Sequence, residues 1–231
     1  SRSRPEAAWV SDVVGCSLDQ AEHAVEEITS QARTVEAMSE RIKRTGREYY
    51  AQFPAPIELF AFVRLLRPWK LVESGVSSGV SSTFLLLGAR VNGAGTLHSI
   101  DFPTVSGEGH GNPPWFIPEG HTSGWAIPRS LRRKWDLLQG RSEDLLRPLL
   151  SKLGAVDLYC HDSPVDNKHF EFEMKAVSRH LRPGSLVVAD NTDWKVFEET
   201  AHSLGAVAIQ RRKSSLGSFR VPNKGKLRIS N

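Results

Sequence analysis

The chain has 231 residues, 39% of them hydrophobic, which suits one α/β domain with an added helical segment and a sizeable core. The 30 basic and 26 acidic side chains leave a net charge of +4. They are scattered rather than gathered into the stripe that nucleic-acid binding asks for, and no apolar run is long enough to cross a bilayer. The cysteines, Cys16 in a loop and Cys160 in a buried strand, offer neither a disulfide framework nor a zinc site. That composition suits a reducing cytoplasm, and no signal peptide is visible at Ser1.

The first 15 residues carry no clear signal. Ser17-Leu18-Asp19-Gln20 has the form of a capping box. Apolar residues then recur at Ala21, Val25, Ile28, Ala32, Val35, Met38 and Ile42, the spacing of one long amphipathic helix that ends near Gly46. Such a helix can cap a substrate, meet a second subunit in a homodimer, or pack on the sheet. Pro54-Ala55-Pro56 breaks the chain, with Pro56 fit to be the first residue of a helix over 57–66 that Pro68 stops. Residues 1–55 thus read as a helical extension and 56–231 as the main domain.

The stretch Leu71-Val72-Glu73-Ser74-Gly75-Val76-Ser77-Ser78-Gly79 reads as a strand, a glycine-rich turn and the approach to a helix that starts near Ser82. Gly75 permits a sharp turn and Gly79 a close approach of backbone to a ligand, and the helix start offers unpaired N–H groups. Ser77 stands where a dinucleotide fingerprint needs glycine. Glu73 suits a cationic ligand better than a diphosphate. Residues 95–101 form a second strand that ends in Asp101, where a doubly wound fold sets an acid against a ribose.

Residues 102–130, rich in Gly, Pro and aromatics, predict a lid over the ligand and part of the substrate wall. His110 and His121 lie in it. Residues 135–140 predict the third strand, with Ser142 as N-cap of the helix that follows. Residues 156–162 predict the fourth strand and 168–181 a helix ended by Arg182-Pro183-Gly184. Residues 185–189 predict the fifth strand, closed by Asp190-Asn191. A helix over 194–203 follows, and then a hairpin from 206–210 and 217–221, with Arg211-Arg212-Lys213 as a solvated loop or a phosphate contact. The alternation of strands and helices predicts a Rossmann-like, three-layer, doubly wound and mostly parallel seven-stranded sheet.

Adjacent parallel strands end on one rim, so Asp162, Asp190 and Asn191 bring three hard oxygen donors together. Such donors favour Mg²⁺, Mn²⁺ or Ca²⁺ over zinc. A divalent ion there can hold a substrate hydroxyl and lower its pKa. Ordinary strand-end capping is the other reading of the same residues.

The pattern E-x-G-x-x-x-G, with an acid closing the second strand, resembles class I S-adenosylmethionine-dependent methyltransferases. The Asp162 and Asp190-Asn191 interval is similar to the metal triad of the catechol and caffeoyl-type O-methyltransferases. The wording Pro56-Ile57-Glu58-Leu59, His98-Ser99-Ile100-Asp101 and His161-Asp162-Ser163 resembles a related bacterial group, over residues 56–222. The resemblance implies cofactor contacts from Glu73, Gly75, Gly79, Ser81, Asp101, Ser142, Glu143 and Asp162. It implies a metal, Mg²⁺, on Asp162, Asp190 and Asn191, and a hydroxylated small-molecule substrate. These families place Lys or His three residues after the strand-four acid. Here that residue is Val165, so the candidate catalytic bases become Lys168, His169 or a lid histidine, unless the metal suffices alone. Metal-independent O- or N-methylation, and a non-catalytic cofactor-binding or RNA-associated protein, are the alternatives.

Overall fold

The structure is a computed structural model that describes residues 5–46, 53–103, 116–163 and 167–223. Five strands run parallel: β1 (Lys70–Ser74), β2 (Thr96–Asp101), β3 (Trp135–Gln139), β4 (Val156–His161) and β5 (Leu181–Ala189). β6 (Ile209–Gln210) and β7 (Gly217–Arg220) form a terminal antiparallel hairpin, and β7 pairs antiparallel with β5. The seven-stranded sheet has the order β3-β2-β1-β4-β5-β7-β6, the doubly wound sheet expected.

Side chains alternate across the pleat and so divide between two cores. Leu71, Leu158, Cys160, Leu186 and Val188 face one; Val72, Tyr159, Val187 and Ala189 face the other. The first core is covered by α4 (Pro56–Leu66) and α5 (Val80–Asn92), the second by α6 (Ser142–Leu153), α7 (Asn167–Ser178) and α8 (Trp194–Ser203). Pro56 opens α4, and Arg67, at φ 50°, ends it ahead of Pro68.

The N-terminal segment differs from its expectation. A helix, α1 (Pro5–Val14), occupies the stretch that carried no clear signal, and it buries Ala7, Val10 and Val14 on one face. The long helix is two helices, α2 (Leu18–Glu26) and α3 (Ala32–Lys43), parted by a 3₁₀ turn over Glu27–Gln31. Thr29 and Ser30 hydroxyls bond back to the carbonyls of Glu26 and Glu27 at 2.8 and 2.7 Å, and Arg64 of α4 grips Glu27 through two nitrogens at 2.6 and 3.0 Å. Together they favour the tighter turn. The capping box of Ser17 and Gln20 is present. Ala21, Ala24 and Val25 of α2 pack in the first core with α4, and Trp9 of α1 meets Phe62 of α4 edge-on with ring centroids 5.2 Å apart.

Three boundaries move. α5 starts at Val80, with Gly79 as its cap residue. α7 ends at Ser178, and Arg182-Pro183-Gly184 lies inside β5 rather than closing a helix. Ser142 is the first residue of α6 rather than its N-cap; Arg141 holds the cap position without a side-chain bond. No helix among the described residues is long and apolar enough to cross a membrane.

Candidate active site at the carboxyl ends of the strands

The glycine turn joins three strand ends. Gly75 N–H donates to the Ile100 carbonyl at 2.9 Å, and Asp162 N–H donates to the Ser74 carbonyl at 2.8 Å. Gly75 has φ 85°, and a Cβ there would collide with the Asp162 carbonyl. It is glycine because the chain leaving β4 passes there, not only because the chain turns. Gly79 has φ 93° and faces Ile127 and Gly124 in place of open space. The close approach foreseen for a ligand is thus taken by the chain itself.

The described part of the predicted lid lies on this turn. Gly124 and Ala126 N–H groups donate to the carbonyls of Ser77 and Ser78 at 2.8 and 3.0 Å, while Trp125 and Ile127 are buried. Asp101 ties the two segments together: one oxygen accepts from Val76 N–H at 3.0 Å and the other from the Ser123 hydroxyl. His121 turns to Trp125, ring centroids 5.1 Å apart. His110 and Val165 lie outside the described residues.

Glu73 is wholly buried. Ser81 donates to one oxygen at 2.6 Å; Ser82 and Ser99 donate to the other at 2.6 and 2.7 Å. Burial pushes its carboxyl up to about 7, against the three hydroxyls that lower it. Glu73 and Ser81 are thus bound to each other, and neither lines the cleft beside them. The expected direct contact of Glu73 with a cationic ligand gives way to a scaffold that holds the turn.

That cleft measures about 580 Å³, within the range of small-molecule sites. Its walls are the ends of β1 and β2 (Ser74, Gly75, Asp101), the start of α6 (Ser142, Glu143) and α7 (Lys168, His169). Six expected site residues therefore meet here: Gly75, Asp101, Ser142, Glu143, Lys168 and His169. Phe102 and Phe172 add aromatic faces, with the guanidinium of Arg141 5.8 Å from one ring and that of Arg147 5.1 Å from the other.

His169 is not placed as a proton acceptor. Its Nδ1 lies 3.2 Å from Glu143 Oε1 and its Nε2 3.0 Å from Glu173 Oε1. The bond to Glu173, opposed by burial and aided by Glu143, pushes its pKa up to about 9. At neutral pH it is an imidazolium, and both ring nitrogens donate.

Sequence reasoning missed Glu173. This wholly buried acid of α7 accepts from Ser74 Oγ at 2.8 Å, Tyr159 OH at 2.8 Å and His161 Nδ1 at 2.6 Å, besides His169. Burial acts to raise its pKa, but the bonds from His161 and His169 outweigh it and hold the carboxyl well below the usual range. The available signal was an acid on the apolar stripe of α7, between Phe170 and Met174 and four residues after His169.

The proposed metal residues flank this site. Desolvation, and then the charges of Asp190, Glu73 and Asp101, push the Asp162 carboxyl up. Asp190 accepts from Asn191 N–H at 2.8 Å and from the Ser215 hydroxyl. Asn191, at φ 50°, donates its amide nitrogen to Asp190 at 3.3 Å. Among the described residues no group of three or more His, Cys, Asp or Glu could hold a metal ion; the set here has only two carboxylates and an amide.

The family whose sequence model, described as a methyltransferase domain, matches residues 72–192 covers just over half of the chain, from the first strand through Asn191. The chain belongs to that family. This methyltransferase has the class I fold that its motifs resemble. No curated protein matches it. Solved structures similar to it include a methyltransferase of Podospora anserina bound to S-adenosylhomocysteine, 14% identical with a TM-score of 0.55 over 81% of this chain and 88% of that one. Another is the O-methyltransferase TomG of Streptomyces achromogenes, of tomaymycin synthesis, in complex with S-adenosylmethionine; it is 18% identical with a TM-score of 0.55 over 81% and 90% of the two chains. MycE of the mycinamycin pathway, in complex with Mg and S-adenosylhomocysteine, is 14% identical with a TM-score of 0.53 over 84% of this chain and 57% of that one.

Proposed function

We propose that this methyltransferase moves a methyl group from S-adenosylmethionine to a hydroxyl of a small molecule, assisted by a divalent cation. The observation that carries the reading is the cleft at the ends of β1 and β2, bounded by Gly75, Asp101, Ser142 and Glu143. Its size and its site on the rim suit an adenosine, with Asp101 toward the ribose and α6 toward the base. The donor complexes in the similar folds support it.

Methyl transfer from a sulfonium is an in-line displacement, so the protein's task is to position two reactants and exclude water. Asp101 is itself fixed by Val76 N–H and Ser123, and so presents a preset acceptor to a diol. His169 binds and orients rather than accepts a proton. Lys168, which lines the same cleft, stays a side-chain candidate for proton transfer, beside a lid histidine.

The acceptor side falls to Asp162, Asp190 and Asn191. Their oxygens fit Mg²⁺, and a cation would offset what raises Asp162, burial first and then the charge of Asp190. The Asn191 amide oxygen has no hydrogen-bond partner among the described residues. When bound, the ion polarises the acceptor oxygen and lowers its pKa.

Titration calorimetry with S-adenosylhomocysteine tests the donor site: binding is expected, and no heat at millimolar ligand would overturn the reading. Turnover that ceases in EDTA and returns with Mg²⁺ is the expected result for the ion. The small number of carboxylates favours a second reading, metal-independent transfer to oxygen or nitrogen, which predicts turnover undiminished in EDTA.

A further inference from the structure

The polar wall of the cleft is built around a side chain that does not itself line it. Glu173 joins four side chains: Ser74 at the end of β1, Tyr159 and His161 of β4, and His169 one turn earlier on α7. Three of these bonds fall on one carboxylate oxygen, Oε2, and the fourth on Oε1. Two of the four partners, Ser74 and His169, line the cleft. His169 passes the contact on, to Glu143 at 3.2 Å and to the Ser142 hydroxyl at 3.1 Å on α6. A buried acid with a low pKa is a fixed negative charge, and fixed charges in a low-dielectric interior orient the groups around them.

We propose that Glu173 is a positioning residue for donor binding, which through the His169 imidazolium clamps the start of α6, and through Ser74 the start of the glycine turn, into one rigid wall. The proposal rests on the reading that this cleft takes S-adenosylmethionine.

The clamp needs both ring protons. An imidazolium can donate to Glu173 and Glu143 together; a neutral imidazole has one N–H and must release one of them. Glu143 is the more exposed partner, its side chain 44% exposed against 0% for Glu173, so it is the one released. Among the described residues, the charged and titratable groups around His169 are Glu143 from α6, with Arg141 4.0 Å from that carboxylate, Glu173 and Lys168 from α7, and Tyr159 and His161 of β4 behind Glu173. His169 loses its proton near pH 9, so the wall is held at neutral pH and loosens above it.

The experiment is calorimetric titration of S-adenosylhomocysteine into the full chain from pH 6.5 to 10, with wild type, Glu173→Gln and His169→Gln. Wild type is expected to lose roughly tenfold in affinity as pH rises through about 9. In Glu173→Gln, which keeps the shape and drops the charge, the fall should move down by about one pH unit or more. In His169→Gln the step should vanish. Equal affinities and an unshifted pH profile in both variants overturn the proposal while leaving the donor site intact. Failure of wild type to bind instead overturns the reading on which it rests. Should Glu173→Gln not fold, the His169 ring resonance of wild type is followed by NMR: a midpoint near 9 supports the clamp, and a midpoint in the ordinary histidine range overturns it.

Discussion

Gly79 and Ile127 touch where the sequence left room for a ligand. A Cβ on Gly79 would lie 2.5 Å from Ile127 Cγ1 and 3.0 Å from the Gly124 Cα. The turn and the end of the predicted lid are therefore one packed unit, and the residue that joins them is glycine for two reasons: the contact, and a φ of 93°. Gly79→Ala should destabilise the protein by about 2–4 kcal/mol, from overpacking and left-handed strain together. Denaturant unfolding measures it. The double variant Gly79→Ala with Ile127→Ala should not recover the strain, but it should recover the steric part. A single variant as stable as wild type would mean that the lid segment does not rest on the turn.

Glu73 makes stability depend on pH in the direction opposite to most carboxylates. Its folded pKa is raised to about 7 from the ordinary 4.5. Between those values the folded chain binds the proton more tightly than the unfolded chain. The slope of unfolding free energy with pH is then negative. Stability should decline as pH rises from about 4.5 to 7 and level off above, by about 3 kcal/mol in all. Glu73→Gln should flatten this part of the profile. Melts of both proteins across the window check it, after subtraction of groups common to both.

Much of the frame was readable because its causes are local. Alternation in Leu71-Val72 and in Leu158-Tyr159-Cys160 shows as strands, and Pro56 and Ser17 are start signals that act within one turn. The break at Glu27–Gln31 was not readable, because the grip of Arg64 comes from another helix. The same holds at the site. Asp101 could be assigned to the cleft from its strand end, and Ser142 and Glu143 only from the family resemblance. The roles of Glu73 and Glu173 could not, because their partners lie 4 to 99 residues away and mostly on other elements. Both are acids on buried faces, and there the surroundings decide between ligand contact and scaffold.

Arg211 and Glu58 tie the loop between β6 and β7 to the first turn of α4. Two guanidinium nitrogens lie 2.8 and 2.7 Å from Glu58 Oε1, and Glu58 is 2% exposed. Burial raises the Glu58 carboxyl, against Arg211. Arg211→Ala strands that charge and should cost about 2–3 kcal/mol, below the full cost of breaking a buried pair because Arg211 is partly in water. Replacement of both by Met should cost less than the single change. A double-mutant cycle in denaturant measures the coupling. Additive losses would show that the pair holds nothing.

Ser215 and Asp190 carry the last prediction. The Ser215 hydroxyl, from the same loop, donates to Asp190 Oδ1, and Thr192 Oγ1 donates to the Ser215 carbonyl at 3.1 Å. If Asp190 is an ion ligand, Ser215 is what aims it. Outer partners of this kind typically contribute about tenfold to a hundredfold in metal affinity. Ser215→Ala should therefore weaken Mn²⁺ binding by about tenfold, and Asp190→Asn by more. The readout is Mn²⁺ titration by electron paramagnetic resonance, which reports free ion without turnover. Neither change should alter the affinity for S-adenosylhomocysteine in EDTA by as much, because Asp190 and Ser215 do not line the donor cleft. If wild type takes up no Mn²⁺, the oxygen donors at the ends of β4 and β5 are turn formers, and the metal-independent reading replaces the first. If Ser215→Ala binds Mn²⁺ as wild type does, the loop closes the hairpin without aiming the acid.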